Sequence, residues 1–159
     1  MKVEPYSLEQ ATLKDFMSLQ LRPEDAKTIP SKEAKKNYGT KLLSGGPANS
    51  LWTHGQLLAC MGILNMFPHV GEAWIFCDEI VVDHPVTLLE GTKEYLEFLV
   101  QEHQFVRVQA RCDAEWFEAN KFLKHLGFSL EAEMKYFGPN LEDYNQYVRI
   151  QRWPLSQQS

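Results

Sequence analysis

Two adjacent carboxylates inside an apolar run are the side chains best suited to proton chemistry. Asp78 and Glu79 interrupt the stretch 73–82, Ala-Trp-Ile-Phe-Cys-Asp-Glu-Ile-Val-Val. Neighbouring residues of a strand point to opposite faces, so one of the two can face a given site. A part-buried carboxylate there has a raised pKa and can take a proton from an amine. The bland alternative is a strand-end carboxylate at a solvated edge, or one paired with Arg107 or Arg111. Tyr136 and Tyr144 are possible proton donors, with aromatic packing as their simpler reading. Cys60, Cys77 and Cys112 are odd in number, widely spaced and without C-x-x-C. They read as small buried apolar groups in a reducing compartment. His54, His69, His84, His103 and His125 show no metal-ligand spacing, so no metal site is expected.

The elements that must position these groups follow from periodicity and caps. Residues 3–6 read as a short first strand. Ser7-Leu8-Glu9-Gln10 has the form of a capping box opening a helix to about Leu21, which Arg22-Pro23 ends. Residues 23–44 read as a polar helical region made basic by Lys27, Lys32, Lys35, Lys36 and Lys41. That is a solvated face or a rim attracting an acidic acceptor. Residues 50–53 and 56–66 form a hairpin about His54-Gly55. Residues 73–82 read as a central strand buried on both faces. Pro85 opens a helix to His103, with Leu88, Leu89, Tyr95, Leu96 and Leu99 at helical spacing. Gly91 lies inside it, so Gly91→Ala is expected to be nearly harmless. A strand over 105–110 follows, then a helix capped by Asp113 that carries Trp116, Asn120 and Leu123 and closes at the C′ glycine Gly127. Strands near 128–137 and 144–153 complete the chain. The unit 73–110 implies a right-handed parallel crossover. The fold class is α/β, a mixed and mostly antiparallel sheet with helices on both faces, one domain over 1–153 and a polar tail over 154–159.

Length and charge bound the function. The chain has 159 residues and a net charge of −5, the opposite of what general nucleic-acid binding requires. No apolar run reaches the ~18–20 residues that span a bilayer. The first residues lack the apolar core of a secretory signal, and a cytoplasmic protein is expected.

The element order resembles the GNAT (Gcn5-related N-acetyltransferase) superfamily over nearly the whole chain. Gly55-Gln56-Leu57-Leu58-Ala59-Cys60-Met61-Gly62 is similar to that family's central hairpin. Ala119, Gly127 and Phe128 match its A-x-x-x-Y-x-x-x-G-F segment. Lys135 to Pro139 and Asp143-Tyr144 resemble a phage-borne branch that includes internal virion proteins of short-tailed phages. The resemblance implies that strand 73–82 and its parallel neighbour splay apart to admit the pantetheine arm of acetyl-CoA. Amides near Val81 and Val82 would meet the thioester. The helix start, with Thr87 and Leu88, would meet the diphosphate, since helix N-termini favour anions. The usual Q/R-x-x-G-x-G/A loop is replaced by Asp83-His84-Pro85-Val86-Thr87, which has no G-x-G and loses an amide at Pro85. Leu123 stands where many members place a proton-donating Tyr, and Asn120 is the hydrogen-bonding group left nearby.

Two functions follow. One is acetyl transfer from acetyl-CoA to an amine, with Asp78 or Glu79 as proton acceptor and Val81, Val82, Thr87, Leu88 and Asn120 as donor-binding residues. The other is a GNAT-fold phage protein without turnover, a virion component or a module that binds a protein partner.

Overall fold

In the computed structural model, residues 2–152 are described. Trp153 and the expected tail over 154–159 lie outside the described residues. The elements run β1 (Tyr6–Gln10), α1 (Leu13–Ser18), α2 (Pro23–Ala26), α3 (Lys32–Ser44), β2 (Ala48–Thr53), β3 (Gln56–Phe67), β4 (Val70–Cys77), a 3-10 turn (Glu79–Asp83), α4 (Pro85–His103), β5 (Arg107–Asp113), α5 (Phe117–His125), β6 (Ser129–Met134) and β7 (Tyr144–Ile150). The strands form one seven-stranded sheet in the order β1-β2-β3-β4-β5-β7-β6. β4 and β5 pair in parallel, while β1–β2, β2–β3, β5–β7 and β6–β7 pair antiparallel.

Two compact units make up the chain. The first comprises the residues up to Leu64 with Trp74–Tyr95. Its core holds Phe16, Leu19, Leu42, Cys60 and Phe76. Phe16 meets Phe76 edge-on with ring centroids 5.5 Å apart, and Tyr38 meets Phe76 the same way at 5.6 Å. The second comprises Asn65–Ala73 with the chain from Leu96 onward. There Val108, Ala110, Leu126, Phe128 and Tyr147 are buried.

Three expected boundaries are corrected. Ser7 does not open a helix, because residues 6–10 are taken into the ladder with β2, Ser7 opposite Trp52. Five residues gain cross-strand partners there, and a second capping box downstream starts α1 instead. Thr12 Oγ1 accepts from Asp15 N at 3.1 Å, and Asp15 Oδ2 accepts from Thr12 N at 3.2 Å. The expected central strand 73–82 is β4, which ends at Cys77. Asp78 stops it: its carboxylate accepts from Ile80 N at 3.0 Å and caps the 3-10 turn. Val82, expected on a doubly buried strand, is 72% exposed. Asp113 is the last residue of β5, and Trp116 is the N-cap of α5.

The expectation for Gly91 is reversed. A Cβ built there lies 2.8 Å from Leu51 Cδ1, and Leu51 is fully buried. Overpacking costs about 1–3 kcal/mol, against about 1 kcal/mol of helix propensity gained over glycine. Gly91→Ala should therefore lose about 1 kcal/mol in urea unfolding. An unchanged midpoint would show that Leu51 moves aside freely.

Candidate functional site

At the end of β4 the chain is held by its own carboxylate. Asp78 N donates to Leu58 O at 2.8 Å and Glu79 N to Gln20 O at 2.8 Å. Asp78 Oδ2 accepts from Gln20 N at 2.9 Å, and Oδ1 takes the Ile80 amide. Both oxygens of Asp78 therefore hold backbone amides. Glu79 is exposed on the 3-10 turn. Neither pairs with the arginines considered above: Arg107 bonds Glu131 and Arg111 bonds Glu72 at 2.6 Å. Val81 N donates to Asp78 O, so its amide is engaged. Leu88 is buried and its amide donates to His84 O at 2.9 Å.

A polar cluster that no local pattern announces lies at the start of α4. Thr87 is fully buried. Its Oγ1 accepts from Glu4 N at 2.9 Å and donates to Glu4 Oε1 at 3.0 Å. His84 Nδ1 lies 2.7 Å from the same oxygen, and His54 Nε2 lies 3.4 Å from Glu4 Oε2. The His84 hydrogen bond, helped by Thr87, holds the Glu4 carboxyl below its usual value, while desolvation works against them. The helix start thus carries a carboxylate supplied by the chain itself, which satisfies the positive end of the helix.

Nearby in the same unit, α1, α2 and α3 bound a cavity of about 630 Å³. Lys14, Lys32 and Lys35 line it together with Met17, Leu21 and Ile29. Lys35 Nζ donates to Leu19 O at 2.7 Å and to Met17 O at 3.1 Å. Burial draws its pKa down. Asp25, on α2, is buried with Arg22 Nη2 at 3.4 Å. Burial pushes its carboxyl up to about 6, against the opposing pull of Arg22. The residues Pro23-Glu24-Asp25-Ala26 look like surface in the sequence, and nothing local signals that Asp25 turns inward.

In the second unit, Asn120 sits at the centre of a closed network. Its Nδ2 donates to Trp116 O at 2.8 Å and Asp113 O at 3.0 Å. Its Oδ1 accepts from Tyr147 OH at 2.7 Å and Asn145 Nδ2 at 2.8 Å. An amide has two N–H groups and two lone pairs, and all four are used. Tyr144 packs on Phe137 with centroids 5.5 Å apart, and Tyr136 is exposed. The three cysteines are free and buried. Burial raises Cys60 to about 11 and Cys77 and Cys112 to about 12, which leaves them poor nucleophiles. Among the described residues no group of His, Cys, Asp or Glu could hold a metal, and no helix is long and apolar enough to cross a membrane.

The parallel ladder of β4 and β5 pairs Val70–Glu72 with Arg107–Gln109 and goes no further. β4 itself continues to Cys77 and β5 to Asp113. The fold as a whole, a mostly antiparallel sheet with one parallel pair, is similar to that of solved acetyltransferases. A GNAT-family acetyltransferase from Bacillus anthracis superposes with a TM-score of 0.72 at 16% identity, covering 94% of this chain and 97% of its own. The chain has the GNAT fold. The ribosomal-protein-S5-alanine acetyltransferase of Vibrio fischeri is similar at 14% identity and a TM-score of 0.72, over 97% of this chain and 98% of its own. RimL, a ribosomal L7/L12 acetyltransferase solved with coenzyme A, is similar at 12% identity and 0.70, over 94% and 98%. No protein-family model and no curated protein matches the sequence.

On this GNAT fold the start of α4 does not suit a diphosphate. Thr87 gives its hydroxyl to Glu4, Pro85 offers no amide, and the Glu4 and Asp83 carboxylates repel an anion.

Proposed function

We propose that the protein transfers an acyl group from a thioester to an amine. The observation that carries this reading is the three-pair parallel ladder, which leaves the backbone of β4 from Ala73 to Cys77 outside it. A strand edge of that kind can pair with the amides of a pantetheine-like arm. Holding an amine against the thioester supplies most of what such a reaction needs. The amine nitrogen takes the acyl carbon, and the thiol leaves. Of the two carboxylates considered, Glu79 is the better proton acceptor, because both oxygens of Asp78 are committed to amides. The lysine-lined cavity favours an acceptor that also carries an acidic group. Acetyl-CoA is the donor that the resemblance and the coenzyme A complex of RimL bring forward.

The test is thiol release from acetyl-CoA and from a short acetyl thioester, with α-amino peptides, acidic peptides and spermidine as acceptors. Release above the protein-free rate with at least one pair is expected. Glu79→Gln should slow it about a hundredfold or more, in the range of general base catalysis. No release with any pair would end the reading.

A second reading is favoured by the Glu4 cluster and by Leu123 at the position of the family's Tyr. It is a GNAT-fold phage protein without turnover that acts by binding another protein. The same assay separates the two.

A further inference from the structure

We propose that Glu4 sets the class of acyl donor, admitting thioesters that lack a diphosphate and turning away acetyl-CoA. This rests on the acyl-transfer reading. Three observations carry it. The Glu4 carboxylate is anchored on both sides of the α4 start, by His84 Nδ1 at 2.7 Å and Thr87 Oγ1 at 3.0 Å, with its own amide returned to Thr87. The anchor is continued by the next residues: Thr53 Oγ1 donates to Pro5 O at 2.6 Å, and Tyr6 lies in register opposite Thr53. Glu4 therefore lies two residues ahead of β1, on a segment held by hydrogen bonds at both Glu4 and Pro5. Finally, the side chain with a hydroxyl to offer a phosphate, Thr87, is fully buried against that carboxylate. An incoming diphosphate must displace a bonded carboxylate or sit beside it, and like charges a few ångströms apart repel. A donor that ends before the diphosphate makes the same strand contacts without meeting Glu4.

The experiment compares acetyl-CoA with S-acetyl-N-acetylcysteamine, a thioester of the pantetheine tip, in the wild type, Glu4→Gln and Glu4→Ala. The wild type should show a kcat/KM at least tenfold higher for the small thioester. Glu4→Gln, which keeps the size of the side chain and drops its charge, should raise kcat/KM for acetyl-CoA at least tenfold. It should leave that of the small thioester within twofold. A wild type that prefers acetyl-CoA, or a ratio that neither variant changes, overturns the proposal while the acyl-transfer reading stands. If no donor is consumed by any protein, the acyl-transfer reading falls, and calorimetric titration with coenzyme A still decides the role of Glu4. Binding to the variants and not to the wild type supports it. Equal binding, or none to any, overturns it. Melting curves confirm that each variant is folded.

Discussion

Asn120→Ala should destabilise the protein by about 2–4 kcal/mol, a loss of roughly 5 °C or more in Tm for a chain of this size. The reason is the number of partners that one amide satisfies. Tyr147 OH and Asn145 Nδ2 lose their acceptor, while the carbonyls of Asp113 and Trp116 lose one of two donors and keep the backbone amides of Trp116 and Asn120. Tyr147 is 1% exposed, so water does not replace what is lost. Each buried group left unpaired costs about 1–3 kcal/mol, and relaxation recovers part of the sum. Tyr147→Phe removes one hydroxyl and leaves the other three bonds, so it should cost about 1 kcal/mol. Asn120→Asp keeps the acceptor and turns an oxygen toward two carbonyls, so at neutral pH it should be as damaging as alanine. Urea unfolding of the three variants and of the Asn120/Tyr147 double variant reads the coupling. Losses below 1 kcal/mol for Asn120→Ala would mean that the network is not closed.

That network also shows how the sequence misleads about a site. Asn120 is a polar residue one turn beyond Trp116 on an amphipathic helix, and such a residue reads as available to a ligand. The helix itself is legible: Gly127 follows it with φ of +92°, the conformation a C′ glycine supplies. α4 is legible to the residue, because Pro85 and the apolar spacing are local signals. Long-range pairing is what escapes. Asp78 looks like a strand residue until Gln20 N reaches its carboxylate and the isolated bridge from Leu21 fixes the turn. Ser7 looks like a cap until β2 lies beside it. Glu4 and His84 are 80 positions apart, and nothing in either neighbourhood announces the other. The order of elements along the chain and the parallel crossover could be read because they depend on periodicity and loop length. The chemistry could not, because each polar group is defined by a partner from another element.

Asp25 gives the second large effect, and its sign is opposite to that of most carboxylates. Burial is the main cause that pushes it from an ordinary 3.8 to about 6. A carboxyl whose pKa is higher folded than unfolded favours the folded state below the unfolded pKa. It loses that advantage as pH rises through the folded one. The full loss is about 3 kcal/mol, of which about 2 kcal/mol falls between pH 4.5 and 7.5. Glu4, Glu131 and Asp143 run the other way, since hydrogen bonds hold them below their usual values. Their contribution is present above about pH 4.5 and fades as pH falls through their lowered values. The two windows do not coincide, so Asp25→Asn isolates the first. The difference in stability between Asp25→Asn and the wild type should rise by about 2 kcal/mol from pH 4.5 to 7.5, in favour of the variant. Urea unfolding at four pH values across that interval measures it. A difference that stays flat would place the Asp25 titration below pH 4.5, and the pairing with Arg22 at 3.4 Å would then outweigh burial.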